Sequence, residues 1–231
     1  MDIETMKGMR LSILGTGASF IVSLIAYIMM ASSGPASSYS DYESFLRMLI
    51  VATMIQFVVL PVLLAFFVND AGELENFTRT GLIEKAWLIN TIGVIVQIAA
   101  AVLLGYAMAS MFVGFSETPD PGIIYGNMIN MMTTSQLIQS LGFSIPVFYF
   151  LLSKYMAREK IPFKKIEQIS DIIGILFSVV MPLPSIIIFS SGLAVGICGM
   201  LGIISMIIGI TWIATRFQSS LTRDLPDIPE D

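Results

Sequence analysis

The stretch LSILGTGASFIVSLIAYIMMA, residues 11–31, contains no Asp, Glu, Lys, Arg or His. A bilayer's hydrocarbon core takes about 20 apolar residues in a helix rising about 1.5 Å each, and this run is long enough. Five more such runs follow along the chain: Met48 to Val68, Ala86 to Val113, Asn130 to Leu152, Ile172 to Phe189, and Gly192 to Thr215. The expected fold is therefore an all-α integral membrane protein with about six transmembrane helices in one bundle. Composition agrees: 13% of residues are charged, against about 25% in soluble domains, and a water-facing surface could not be built from so few. No hydrophilic stretch is long enough for a separate folded unit, so residues 1–218 are read as one membrane domain. Residues 219–231 are read as an acidic, proline-containing tail.

The first run exceeds the roughly 7–15 residues of a signal-peptide core, and its leading segment mixes Asp2 and Glu4 with Lys7 and Arg10; it is expected to be a retained span. The fifth run is short and carries Pro182 and Pro184. Proline removes a backbone donor, so the helix should kink or break there, making segments five and six a tight helical hairpin turning at Ser190, Ser191 and Gly192. A re-entrant pair is the alternative topology.

Basic residues set orientation. Lys7, Arg10, Arg79, Lys85, Lys154, Arg158, Lys160, Lys164, Lys165, Arg216 and Arg223 all fall on one side of the six-span layout, and of the 12 Lys and Arg only Arg47 does not. Both termini are therefore expected on the cytoplasmic side of a cell membrane. Arg47 is read as a snorkelling cation. Loop two (Asn69 to Glu84) and loop four, with Ile166 and Ile169 opposite Lys164, Lys165 and Glu167, have the period of short interfacial helices. Lys160, Lys164 and Lys165 are candidates for lipid headgroup contact.

Several function classes are disfavoured. One cysteine, Cys198, allows no internal disulfide, and zero His removes the usual zinc and haem ligand sets. Within the six runs there is no ionisable carboxylate, Lys or Arg, which argues against a proton-coupled pump and against acid–base or metal-dependent catalysis inside the bilayer. No metal site, cofactor or nucleic-acid partner is expected. Methionines such as Met29, Met30, Met108, Met111, Met128 and Met131 gather toward the outer ends of the spans; flexible packing accounts for them better than Cu(I) does.

Two patterns remain. Gln56, Gln97 and Gln139 fall near mid-span by residue arithmetic, with Gln136 and Asn130 on the outer half of span four. They are read first as interhelical hydrogen-bonding glue, and alternatively as the binding site of a small neutral solute. Gly192, Gly196, Gly199 and Gly202 in span six, Gly105 in span three and Gly15 in span one are candidate close-packing positions, which would bring spans one, three and six together. The leading expectation is a non-catalytic structural, accessory or assembly subunit with a membrane-protein partner or a second copy. The alternative is a small permease for a neutral or amphipathic ligand.

Overall fold

The computed structural model describes residues 3–32, 39–72, 82–114, 121–156, 165–191 and 195–222. Among them only Met181 and Pro182, in a turn, are not helical. The helices are α1 (Ile3–Ser32), α2 (Tyr39–Gly72), α3 (Leu82–Gly114), α4 (Pro121–Met156), α5 (Lys165–Val180), α6 (Leu183–Ser191) and α7 (Val195–Thr222). Five stretches are long and apolar enough to cross a membrane: Lys7–Met29, Leu88–Tyr106, Thr133–Met156, Lys165–Ile187 and Ile197–Leu221. The apolar part of α2, Val51–Phe66, is shorter.

Burial runs opposite to that of a water-soluble bundle. On α1, Ser12, Thr16, Ser19 and Ser23 are buried, while Leu11, Leu14, Ile21, Ile25 and Ile28 are exposed. The hydroxyls cost little inside, because each of the first three donates to a carbonyl one turn back: Ser12 to Met9 O, Thr16 to Ser12 O and Ser19 to Thr16 O, all at 2.8 Å. Helix α5 is built the same way, with Glu167, Ser170, Asp171, Gly174 and Ser178 buried and Ile169, Ile172, Leu176 and Val179 facing out. Large exposed apolar faces on every side mark a surface that meets lipid rather than water.

Helix α4 is central. It packs against α3, α5, α6 and α2, and its span is 56% buried, against 28% for that of α3 at the periphery. Helix α1 lies between α2 and α7. Small residues set these approaches. A Cβ on Gly199 would stand 2.9 Å from Ala31 Cβ, one on Gly202 would enter the Tyr27 ring, and one on Gly209 would stand 2.6 Å from the Phe177 ring. Gly15 meets Val59 at 3.0 Å. The expected packing of spans one and six is thus present as α1 against α7. Span three differs: α3 packs on α4 and α2, and a Cβ on Gly105 would meet nothing within 4 Å. The close approach of α3 is made instead by Gly93, whose Cβ would stand 2.6 Å from Gly142 O. Pro146 explains why that carbonyl is available, since proline has no N–H to give the residue four back. Gln97 Nε2 donates to it at 3.3 Å.

Expectations about helix ends need correction. Loop four holds no separate interfacial helix over Ile166–Ile169; these residues begin α5, which continues unbroken to Val180, and Glu167 points inward rather than to the surface. The last helix runs to Thr222, past the expected boundary at 218, with Ser219 and Ser220 buried and Arg10 Nη2 donating to Ser220 O at 2.9 Å. The proline-induced interruption falls at Met181–Pro182: the Met181 N to Phe177 O bond of 2.8 Å closes α5, and Ile186 N to Pro182 O at 3.0 Å opens α6. Ser190 and Ser191, expected in the hairpin turn, are instead the last residues of α6, while Gly192, most of loop two, the tail from Arg223, Lys160 and Lys164 lie outside the described residues. Gly196 lies in α7.

Candidate functional site: a polar cavity above an aromatic layer and a buried charge cluster

Five helices and the interruption in α5–α6 meet around a small polar cavity. Its walls are Ser23 and Tyr27 of α1, Thr53 and Gln56 of α2, and Gln136, Gln139 and Ser140 of α4. Met181 and Ser185, flanking the helix interruption, and Met206 of α7 complete it. The volume is about 30 Å³, enough to admit a water-sized group. Gln56 Nε2 donates to Ser23 Oγ at 3.0 Å, tying α2 to α1. Gln136 Nε2 approaches Thr53 Oγ1 at 3.5 Å, the outer limit of a hydrogen bond. Gln139 differs from both: it is 2% exposed and its Nε2 has no hydrogen-bond partner. An unpaired buried donor costs about 1–3 kcal/mol; Asn90 Oδ1, Gln97 Oε1 and Ser205 Oγ are likewise buried without a partner.

The helix interruption has a physical reason to be here. Non-helical backbone at membrane depth survives only where protein or a polar cavity satisfies it. Pro182 and Pro184 withhold donors from Ser178 O and Val180 O, and the interrupted segment contributes Met181 and Ser185 to the cavity wall.

Along each helix in one direction, the cavity gives way to a layer of fully buried aromatics: Phe20 of α1, Phe143 of α4, Phe177 of α5 and Trp212 of α7. Phe20 and Phe177 have ring centroids 4.9 Å apart, Phe177 and Trp212 are stacked at 5.5 Å, and Phe143 lies 6.4 Å from Trp212. The layer is dense because Gly174 and Gly209 leave room for it: a Cβ on Gly174 would collide with Leu151 and Trp212.

Beyond the aromatics lie four charges with almost no exposure: Lys154 at 0%, Glu167 at 6%, and Asp171 and Arg216 at 2% each. Lys154 Nζ donates to Glu167 Oε1 at 2.8 Å and lies 3.2 Å from Asp171 Oδ2. Arg216 Nη1 is 3.4 Å from Asp171 Oδ1 and 3.9 Å from Glu167 Oε1. Two cations meet two anions, so the group is neutral as a whole and joins α4, α5 and α7. At about 1.5 Å per residue, the ten residues from Asp171 to Met181, or from Arg216 back to Met206, place it roughly 15 Å along the helices from the cavity.

The candidate residues therefore separate. Gln56, Gln136 and Gln139 converge on the cavity, whereas Gln97 points to α4 and serves Gly142 O. Asn130 is exposed and away from the lining. Lys165 is exposed. The side chains of Arg47 and of several outer methionines, Met30, Met108, Met111, Met128 and Met132, lie outside the described set. No group of three or more His, Cys, Asp or Glu able to hold a metal occurs among the described residues.

The charge cluster overturns the expectation of a bundle interior free of charge. The helices extend past the apolar runs, and Lys154, Asp171 and Arg216 stand one or two residues beyond the run ends, where the two basic residues are read as setting orientation. One signal could have found it. Glu167, Asp171, Gly174 and Ser178 repeat at helical spacing on one face of α5, with Ile169, Ile172, Leu176 and Val179 elsewhere; in a membrane chain the polar stripe faces inward. Comparison with protein-family models, curated proteins and solved structures finds no match for this chain.

Proposed function

We propose that this chain is a small membrane permease or solute-binding component for a small neutral, hydrogen-bonding solute, with Gln56, Gln136 and Gln139 forming the recognition site. The single observation that carries the reading is Gln139 Nε2, buried without a partner at a polar cavity. Gln56 Nε2 and Gln97 Nε2, by contrast, each bridge to a neighbouring helix, although Gln97 Oε1 is itself buried without a partner. Interrupted helices beside a polar site inside the membrane belong with solute binding. In this reading the cavity is a closed form that widens to admit its solute. No catalytic role is assigned, since the cavity presents amides, hydroxyls and thioethers and no general base.

We further propose six crossings, with α2, 34 residues long, supplying the sixth, and with α5–α6 and α7 as a hairpin. The basic residues then put both termini on the cytoplasmic side of the cell membrane.

The test is permeation of urea and of glycerol into proteoliposomes, followed by light scattering after an osmotic step. Permeability to at least one should exceed that of protein-free liposomes, fall to that baseline in Gln139→Leu, and persist in Gln97→Leu. Baseline permeability for both solutes with folded wild-type protein would sink the reading. The accessory-subunit alternative draws support from α3, whose Leu88, Ile92, Ile95, Ile98 and Val102 form a long exposed apolar face. Gentle detergent extraction and mass spectrometry of the native-size particle bears on it: a stoichiometric membrane partner would bring that alternative forward.

A further inference from the structure

We propose that α5 is a gate arm: the Lys154–Glu167–Asp171–Arg216 cluster and the aromatic layer together seal the cavity on the side of the bundle where α4 and α7 end, and α5 swings about Met181–Pro182 to open it. The proposal rests on the solute-binding reading only for what passes; the motion itself is tested separately.

The cavity, the aromatic layer and the charge cluster stack in the same order on three helices. On α4 the order is Gln139, Phe143, Lys154; on α5, reading backward from the interruption, Met181, Phe177, Asp171; on α7, Met206, Trp212, Arg216. Helix α5 carries members of the aromatic and charge layers and ends at the interruption beside the cavity. At Pro182 and Pro184 two backbone donors are missing, so the joint between α5 and α6 resists bending less than continuous helix does. At the other end, α5 is held by ion pairs on both sides, to Lys154 of α4 and to Arg216 of α7. A displacement of α5 would therefore break both contacts and separate Phe177 from Phe20 and Trp212, opening a path from the cavity to that end.

Ion pairs suit a latch better than an apolar contact would. A neutral set of four charges is strong while closed and, once parted at the membrane edge, each member can be hydrated by entering water. An apolar contact would gain nothing from that water. The glycines beside the rings, Gly174 against Trp212 and Gly209 against Phe177, give smooth surfaces along which the aromatic layer can part.

The test uses the full chain in vesicles, with Cys198→Ala removing the only cysteine and Ser140→Cys as a reporter in the cavity wall. A small, charged, membrane-impermeant methanethiosulfonate is applied to each side in turn. Two variants open the latch without leaving a net buried charge: Lys154→Met with Glu167→Gln, and Asp171→Asn with Arg216→Gln. Modification from the Lys154 side should rise at least about tenfold in either variant, the change expected when a conformer populated at a few per cent becomes common. Modification from the opposite side should not rise. An unchanged rate from the Lys154 side in a variant that retains the wild-type gel-filtration profile would overturn the proposal. So would failure of both charge-balanced variants to fold, since a latch that opens in the working cycle cannot be indispensable to the fold. Raised modification in a protein that passes neither urea nor glycerol would keep the gate and remove the solute reading; permeation with unchanged modification would do the reverse.

Discussion

The two polar regions inside this bundle solve the same problem in opposite ways. At the end of α4 and α7, four full charges are buried, and each lies within 4 Å of an opposite partner. At the cavity every lining group is formally neutral, yet Gln139 Nε2 is left without a partner. The costlier groups are the satisfied ones. Burying a charge is tolerable only with compensation, whereas an unpaired amide costs little enough to be retained when something else is to bind it. A closed network holds helices in place, and an open one is where a solute can enter.

The largest effect should come from unbalancing the charges. Lys154→Met leaves two carboxylates facing one guanidinium, and the loss should be about 3–5 kcal/mol, read as a lowered thermal unfolding midpoint in detergent. Adding Glu167→Gln should recover most of it. A single variant as stable as wild type would mean that the cluster does not hold the helices, and the contrast would lose its first half.

Next in size is overpacking beside the cavity. Gly202→Leu drives a side chain into the Tyr27 ring and should cost about 1–3 kcal/mol. Gly105→Ala, where nothing lies within 4 Å, should stay within about 0.5 kcal/mol of wild type. Equal losses at the two glycines, by the same melting assay, would show that the α1–α7 approach is less close than described.

The smallest effects distinguish the amides themselves. Gln97→Leu removes the donor to Gly142 O and should cost about 0.6 kcal/mol, the average for such contacts in a membrane bundle. Gln139→Leu removes no bond at its Nε2, so stability should hold within about 0.5 kcal/mol while any solute permeation is lost. A greater loss of stability at Gln139 than at Gln97 would make Gln139 a structural group and erase the distinction between the two regions.

Much of the architecture was legible because it is local. Apolar runs such as residues 11–31 and the run around Leu88–Tyr106 announce their helices by length alone, and Pro182 announces the interruption that divides α5 from α6. The helix ends were harder. A helix can continue beyond its apolar run when tertiary partners satisfy the polar residues that follow, and that is how Glu167 and Asp171 came to be inside α5 rather than on an interfacial helix. Gly15, Gly199 and Gly202 stand at close approaches while Gly105 meets nothing within 4 Å, because spacing identifies a smooth face without saying whether another helix covers it.

The sequence by itself determined that the chain is helical and built for lipid, since hydrophobic length and the backbone's need for internal hydrogen bonds act within each segment. Only the tertiary structure decided which polar groups meet. Lys154 and Glu167 are 13 residues apart, Asp171 and Arg216 45, and Gln136 and Thr53 83. No local period encodes such pairings; they follow from how the helices are arranged around α4 and how far each one turns its polar face toward the centre.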